Sequence, residues 1–262
     1  MYTIMIASQK GGVAKSTATK EIGYILAQKH KVLMIDFDSQ RDLSLFSGVE
    51  FDDNSKTILD AMQAECLPEE AFLQIHKNLY IAIASKKMAN AEKIFSDPDD
   101  IFILLDILEY IKKKNMFDYV LIDNAPARNP LLYMSYIASD YIIVPMDASQ
   151  GSFNGLSEIA MDIAKFRKRN QSSATILGYF LGAYEKTTIH NVALEYFDSI
   201  ADDIGVTPFK TQIPKGIIAT EAGNQGVPIY DLDKKSKVAK AYTKLTKEIL
   251  DRINADMKAK ED

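Results

Sequence analysis

The stretch Gln9-Lys10-Gly11-Gly12-Val13-Ala14-Lys15-Ser16-Thr17 gathers the groups that phosphate chemistry needs. Gly11 and Gly12 remove the Cβ atoms that would hold a phosphate away from the main chain. Successive backbone N–H groups at a helix start form an anion-binding concavity. Lys15 can reach β- and γ-phosphates, and the Ser16 hydroxyl is a ligand type for Mg²⁺. The stretch follows an apolar run, Tyr2–Ala7, and opens a helical pattern, Ala14–Lys29, the strand–loop–helix context such a loop requires. It departs from the spacing GxxxxGK[ST]: Gln9 and Ala14 occupy the two glycine positions, and Lys10 is an added cation.

A reaction at a metal-bound nucleotide also needs carboxylates at strand ends, because sites in open α/β sheets lie at the strands' carboxyl edge. Asp36-Phe37-Asp38-Ser39-Gln40 ends the run Lys31–Asp36, and Asp123 ends Tyr119–Asp123 before the loop Asn124-Ala125-Pro126. A lone aspartate at such a place is more often a helix cap or a solvated acid. Asp36, Asp38 and Asp123 at successive strand ends, behind a phosphate loop, make the metal–nucleotide reading the stronger one.

The elements that must position these residues follow from the hydrophobic pattern. Besides the three runs above, Leu79–Ala84, Tyr141–Pro145, Thr175–Gly182 and Pro208–Ile213 read as strands. Asp99–Lys114, Gly151–Arg169, His190–Ile204 and Ser236–Met257 read as helices. Continuous apolar strands separated by helices predict an α/β fold: a mostly parallel twisted sheet of about seven strands, with helices on both faces. No repeat or linker interrupts residues 1–262, so one domain is expected. The apolar fraction of 47% and charged fraction of 26% are those of a globular protein. Cys66, the sole cysteine, excludes an intrachain disulfide, a cysteine-based zinc site and a cluster held by one chain, and a cytoplasmic location is expected. The net charge of -5 argues against a uniformly basic surface, and no signal segment or membrane span is visible.

The pattern KGGxxKST resembles the deviant Walker A motif of the ParA/MinD superfamily of P-loop ATPases. The resemblance continues in Asp36–Gln40, similar to a DxDxQ segment, and in Ile213-Pro214-Lys215 through Glu221–Pro228 and Ser236–Tyr242, which look like ParA segments. It implies ATP/ADP and Mg²⁺ as cofactors, held by Gly11, Gly12, Val13, Ala14, Lys15, Ser16 and Thr17, with Pro214 near the adenine. By resemblance, Asp38 positions the attacking water, Asp123 orients Mg²⁺ through a bound water, and Asp36 supports the site. Lys10 would reach the nucleotide of the opposite subunit in a homodimer formed on ATP binding. Ala14, Ser39, Lys215 and Gly223 depart from the usual family residues.

Within the superfamily, the single cysteine removes the branches that bind iron–sulfur clusters, and no tyrosine follows Tyr242 as a tyrosine-kinase tail would require. The stripe Leu245, Ile249, Ile253 and Met257 is flanked by balanced charge, so the last helix is expected to pack on its own domain, with no membrane partner. Gly205–Leu250 carries +4 and the remainder -9. Resemblance makes Lys215 the first DNA-contact candidate, followed by Lys234, Lys235 and Lys237, while Lys165–Arg169 is equally a solvated helix face. The implied function is a nucleoid-associated DNA partition ATPase of the small type without an N-terminal helix-turn-helix. Such an ATPase binds nonspecific DNA as an ATP-sandwich dimer and is released by a ParB-like centromere-binding adaptor. The alternatives are a MinD-like membrane-associated regulator and a small-molecule P-loop ligase or kinase.

Overall fold

The computed structural model describes residues 1–50, 52 and 55–261. Its strands are β1 (Tyr2–Ile6), β2 (Val32–Phe37), β3 (Phe72–His76), β4 (Leu79–Ala82), β5 (Tyr119–Asn124), β6 (Tyr141–Met146) and β7 (Thr175–Leu181). The described helices are α1 (Lys15–Ala27), α2 (Asp42–Phe46), α3 (Ile58–Met62), α4 (Ala91–Ile94), α5 (Ile103–Lys113), α6 (Pro130–Ala138), α7 (Gln150–Lys168), α8 (Thr188–Asp203), α9 (Ile217–Asn224), α10 (Ile229–Asp233) and α11 (Lys237–Glu261). The strands form one sheet in the order β3-β4-β2-β5-β1-β6-β7. Every neighbouring pair is parallel except β3 with β4.

Strand alternation builds a core on each side of this sheet. Ile4, Ile6, Val32, Met34, Leu121 and Ile143 face α1 and α11. Leu33, Ile35, Val120 and Ile122 face α3, α5 and α6, while Met5, Ile142 and Val144 face α7 and Phe197 of α8. Both faces are therefore buried, as the continuous apolar strands predict.

The strand count agrees with the expectation, but one member differs. Pro208–Ile213 is not a strand. It runs beside β7 through Phe209 N–H to Tyr179 O (2.8 Å) and Ile213 N–H to Leu181 O (2.9 Å). Between them, the Gln212 side chain accepts the Leu181 N–H that a ladder partner would take. Pro208 also has no N–H to give, so no ladder forms. The seventh strand is instead the edge hairpin strand β3, whose Gln74 and His76 are exposed and whose apolar residues are half-buried. α6 was also absent from the expected elements, because Pro130–Ala138 is apolar on every side and shows no helical period.

α1 fixes the C-terminal region. Lys20 Nζ donates to Val227 O (2.7 Å) and lies 3.2 Å from Glu21 Oε1. Both Glu21 oxygens accept Ile229 N–H at 3.1 Å, and the Tyr24 hydroxyl donates to Asp231 (2.7 Å). Burial pushes the Lys20 ammonium down and the Glu21 carboxyl up, each opposed by the other's charge. Leu245, Ile249 and Ile253 of α11 are buried against this layer. Among the described residues, no helix is long and apolar enough to cross a membrane.

The turn after α9 touches the turn after α2 backbone to backbone. A Cβ on Gly226 would stand 2.4 Å from the Gly48 Cα, and Gly226 has φ +66. Gly226→Ala is expected to cost at least about 2 kcal/mol, from left-handed strain and backbone overlap together. Urea unfolding checks this: a midpoint equal to that of the parent chain would mean the two turns separate freely.

Candidate nucleotide site

Sheet order places the loops after β2, β5, β1 and β6 side by side at the carboxyl edge. The loop from β1 to α1 lies against Gly155 of α7, where a Cβ would sit 3.6 Å from that of Gln9. The end of β7 closes its other side: a Cβ on Gly182 would come within 3.1 Å of the Val13 carbonyl oxygen. Gly12 (φ 78) and Ala14 (φ 64) both take the left-handed conformation. Ala14 caps α1 with no side-chain hydrogen bond, and the first turn carries no acid. The positive end of α1 is thus left for an external anion.

A cavity of about 640 Å³ opens here. Gly11, Gly12, Ala14, Lys15, Ser16 and Thr17 form one wall, while Asp38, Gln40, Phe46 and Pro126 form another. Pro214, Lys215 and Gly216 close the far end, with Val238 and Tyr242 behind them. Val13 is buried under the loop. The residues singled out for phosphate, water and adenine therefore share one cavity, with Lys10 outside it.

Asp36 and Asp123 stand opposite each other in the β2–β5 register, and Asp123 is also paired with Ile6 just before the loop. Asp36 is committed to its own segment. It accepts the Ser44 N–H (3.0 Å), the Ser44 hydroxyl (2.7 Å) and the Asp38 N–H (3.1 Å). Burial pushes it up to about 6 in spite of these bonds. Asp123 is 1% exposed, and no hydrogen bond of standard geometry reaches either oxygen. Burial and then Asp36 push it up to about 7, against the nearby Lys15 ammonium and Ser16 hydroxyl. A buried carboxylate with two free oxygens beside a hydroxyl fits a hydrated divalent cation, with Ser16 as direct ligand and Asp123 holding a water.

Two further groups at this edge were not singled out from sequence. Lys10 Nζ is ion-paired to Asp147 and donates to the Ser149 hydroxyl (3.0 Å) of the same chain. Burial opposes ionisation of Asp147, but Lys10, Ser149 and Ser152 outweigh it and hold the carboxyl below its ordinary value. Asp147 lies two residues past the run Tyr141–Pro145, so the strand-end rule that found Asp36 and Asp123 could have found it. Arg128, in the loop after β5, grips Asp162 of α7 with both carboxylate oxygens (2.8 and 2.7 Å) and Glu158 at 3.0 Å. No sequence signal pairs those residues.

The candidate DNA lysines divide by position. Gly216 packs on Val238, where a Cβ would lie 2.7 Å from its methyl, so Lys215 and Lys237 flank one contact in the cavity wall. Lys215 is exposed and lies 3.5 Å from Glu185. Lys234 and Lys235 line a separate shallow cleft with Asp231 and Asp233. Lys165–Arg169 ends α7, far along the helix from Ser149; there Lys165 pairs with Asp162 (3.6 Å) and Arg167 donates to Thr175 (3.2 Å).

Fold and loop together define a P-loop nucleotide-binding protein. A family model described as an AAA domain (AAA_31) matches residues 1–176. The chain belongs to that family, of ParA type. The chromosome partitioning protein ParA of Caulobacter vibrioides is 27% identical over 255 residues, covering 96% of this chain and 95% of its own. Among solved structures, apo McdA from Cyanothece superposes with a TM-score of 0.85 at 24% identity, covering 95% of this chain and 99% of its own. Cobyrinic acid a,c-diamide synthase from Mycobacterium smegmatis, bound to an ATP analogue and magnesium, gives 0.82 at 23% identity, with 98% and 97% covered.

Two measurements test the site's energetics. Ala14→Gly removes left-handed strain of about 1–2 kcal/mol and returns part of it as chain entropy, so a gain of about 0.5–1 kcal/mol in urea unfolding is expected. For Asp123, a carboxyl raised to about 7 when folded binds a proton between pH 4 and 7 that the unfolded chain releases. Stability of the ligand-free protein is therefore greatest below about pH 4 from this group and falls as pH rises through 7, with Asp36 adding to the fall in the same window. Asp123→Asn should flatten that slope; an unchanged slope would assign the titration elsewhere.

Proposed function

We propose that this chain is a DNA partition or positioning ATPase. ATP closes two copies into a dimer, the dimer binds DNA over the nucleoid without sequence preference, and a ParB-like adaptor stimulates hydrolysis and releases it. One observation carries this reading: Lys215 lines the nucleotide cavity and yet has a side chain 65% exposed, so a single residue belongs to both the ATP site and the basic rim. Lys237 stands across the Gly216–Val238 contact from it. Lys234 and Lys235 would add to DNA contact from the separate cleft they line.

Within the site, Gly11 to Thr17 would cradle the phosphates, Lys15 would hold the β- and γ-oxygens, and Asp38 would orient the attacking water. Mg²⁺, when bound between Ser16 and Asp123, neutralises phosphate charge. Lys10 acts from the partner subunit as a cation on the transferring group. Its ion pair with Asp147 is 39% and 38% exposed, so it is worth at most about 1 kcal/mol and yields to a triphosphate. The family membership of residues 1–176 supports this reading. The buried α11 stripe removes the main support for membrane association. The fold shared with the Mycobacterium smegmatis synthase favours, as second reading, ATP-dependent chemistry on a small molecule in one domain.

DNA binding measured with ATP, with ADP and without nucleotide over a salt series tests the proposal. Salt-sensitive binding is expected with ATP alone. Lys237→Glu, outside the cavity lining, should reduce it at least tenfold while ATP-driven dimerisation persists, and Lys10→Ala should abolish dimerisation. Dimerisation intact in Lys10→Ala, with no DNA binding in the parent chain, would instead support the small-molecule reading.

A further inference from the structure

A second cavity, of about 610 Å³, opens beside the nucleotide cavity where β2 and β4 end. Arg41, Lys56, Lys86 and Lys87 line it, with the hydroxyls of Ser55 and Ser85. Among the described residues, the acids in its wall are occupied locally. Asp60 accepts the Thr57 N–H (2.6 Å) and hydroxyl (2.8 Å) at the start of α3, and Asp52 accepts the Ser55 hydroxyl (3.1 Å). Among the described residues, Lys56, Lys86 and Lys87 are in no ion pair within 4.0 Å. Cations gathered round one concavity repel one another, and an anion entering it relieves that repulsion.

One segment forms the wall between the two cavities. Asp38, Gln40 and Asp42 line the nucleotide side, whereas Arg41 lines the second. Arg41 has φ 64, a conformation unfavourable for a residue with a Cβ, and its N–H donates to Asp38 O (2.8 Å). Whatever grips Arg41 therefore pulls on the turn that carries Asp38.

We propose that this cavity docks an acidic peptide segment of a partner protein, whose carboxylates meet Arg41, Lys56, Lys86 and Lys87, and that docking alters ATP turnover through the Asp38–Arg41 turn. The effect on turnover rests on the ATPase reading above; the docking does not. A peptide suits the site better than a small metabolite, since metabolite sites are mostly apolar and enclosing, and here exposed lysines ring a polar opening. Duplex DNA suits it less, because a concave site with acids in its wall does not follow a phosphate rail.

The test uses fluorescein-labelled hexaglutamate, with hexalysine as control, read by anisotropy on the full chain with ATP. Saturable, salt-sensitive binding of hexaglutamate alone is expected. It should weaken at least tenfold in Lys86→Glu/Lys87→Glu, and also in Lys56→Glu, with thermal unfolding confirming that each variant is folded. Hexaglutamate should change the parent chain's ATP turnover at least twofold and leave the turnover of the double variant at its own basal value. Absence of saturable binding, or binding indifferent to all three lysines, overturns the proposal. Displacement of hexaglutamate by equimolar citrate or inorganic phosphate overturns it in favour of a small anion. Loss of DNA binding in the double variant would assign these lysines to the DNA face and also overturn it. Docking that leaves a measurable turnover unchanged overturns the link to Asp38. Lysine-dependent docking in a chain with no turnover under any condition overturns the ATPase reading and leaves the docking site standing.

Discussion

The constraint on which this architecture turns is a deeply buried carboxylate. Asp123 lies near the end of the central strand, in register with Asp36, and no hydrogen bond of standard geometry reaches either of its oxygens. A sheet interior tolerates such a group only if something else supplies the compensation. Lys15 and the Ser16 hydroxyl supply part of it from the first turn of α1, and the carboxyl's rise to about 7 shows how much is left over. That requirement accounts for the loop's contour. The chain has to leave β1, free its helix end of any cap and return Lys15 over the strand ends, which it does by placing Gly12 and Ala14 in left-handed turns. An alanine in that position takes a conformation unfavourable for a residue with a Cβ, and the loop packs closely on Gly182, where a Cβ would come within 3.1 Å of the Val13 carbonyl oxygen.

α1 carries this constraint to the rest of the molecule. Its first turn bears the phosphate-facing residues, and its next two turns bear Lys20, Glu21 and Tyr24, which hold Val227, Ile229 and Asp231. The segment so held leads through α10 into Lys234, Lys235 and the start of α11. The ties between α1 and this segment are hydrogen bonds from or to Lys20, Glu21 and Tyr24, and Lys20 and Glu21 are buried beside each other on α1. Removing one of the two would strand the other's buried charge, so both ties depend on the pair.

Much of this was legible in the sequence because the chemistry is local. Gly11 to Thr17 occupy one loop, and Asp36 and Asp123 end apolar runs, so spacing alone placed them. The parallel strands were readable because burial on both faces makes them continuously apolar. Pro208–Ile213 misled for the same reason: its apolar residues are buried, but a proline and a glutamine side chain replace the ladder. β3 stayed hidden because an edge strand with Gln74 and His76 exposed lacks the buried pattern. Arg128 and Lys10 show the limit of sequence reading. Their partners lie 34 and 137 positions away, brought near by the packing of α7 in the first case and by the pairing of β1 with β6 in the second.

Those pairings also show how a chain of net charge -5 distributes its cations at this edge. At the carboxyl edge, Lys10 is held by Asp147, Lys215 by Glu185, and Arg128 by Glu158 and Asp162. The first two pairs are between 38% and 65% exposed, where an ion pair contributes at most about 1 kcal/mol and is screened by salt. The third is different, because Asp162 is 5% exposed and engaged through both oxygens. The Lys10 and Lys215 pairs are thus weakly held, whereas Arg128 is fixed and keeps the loop after Asp123 on α7. The edge so divides these cations into two held loosely in water and one that ties a loop to the frame.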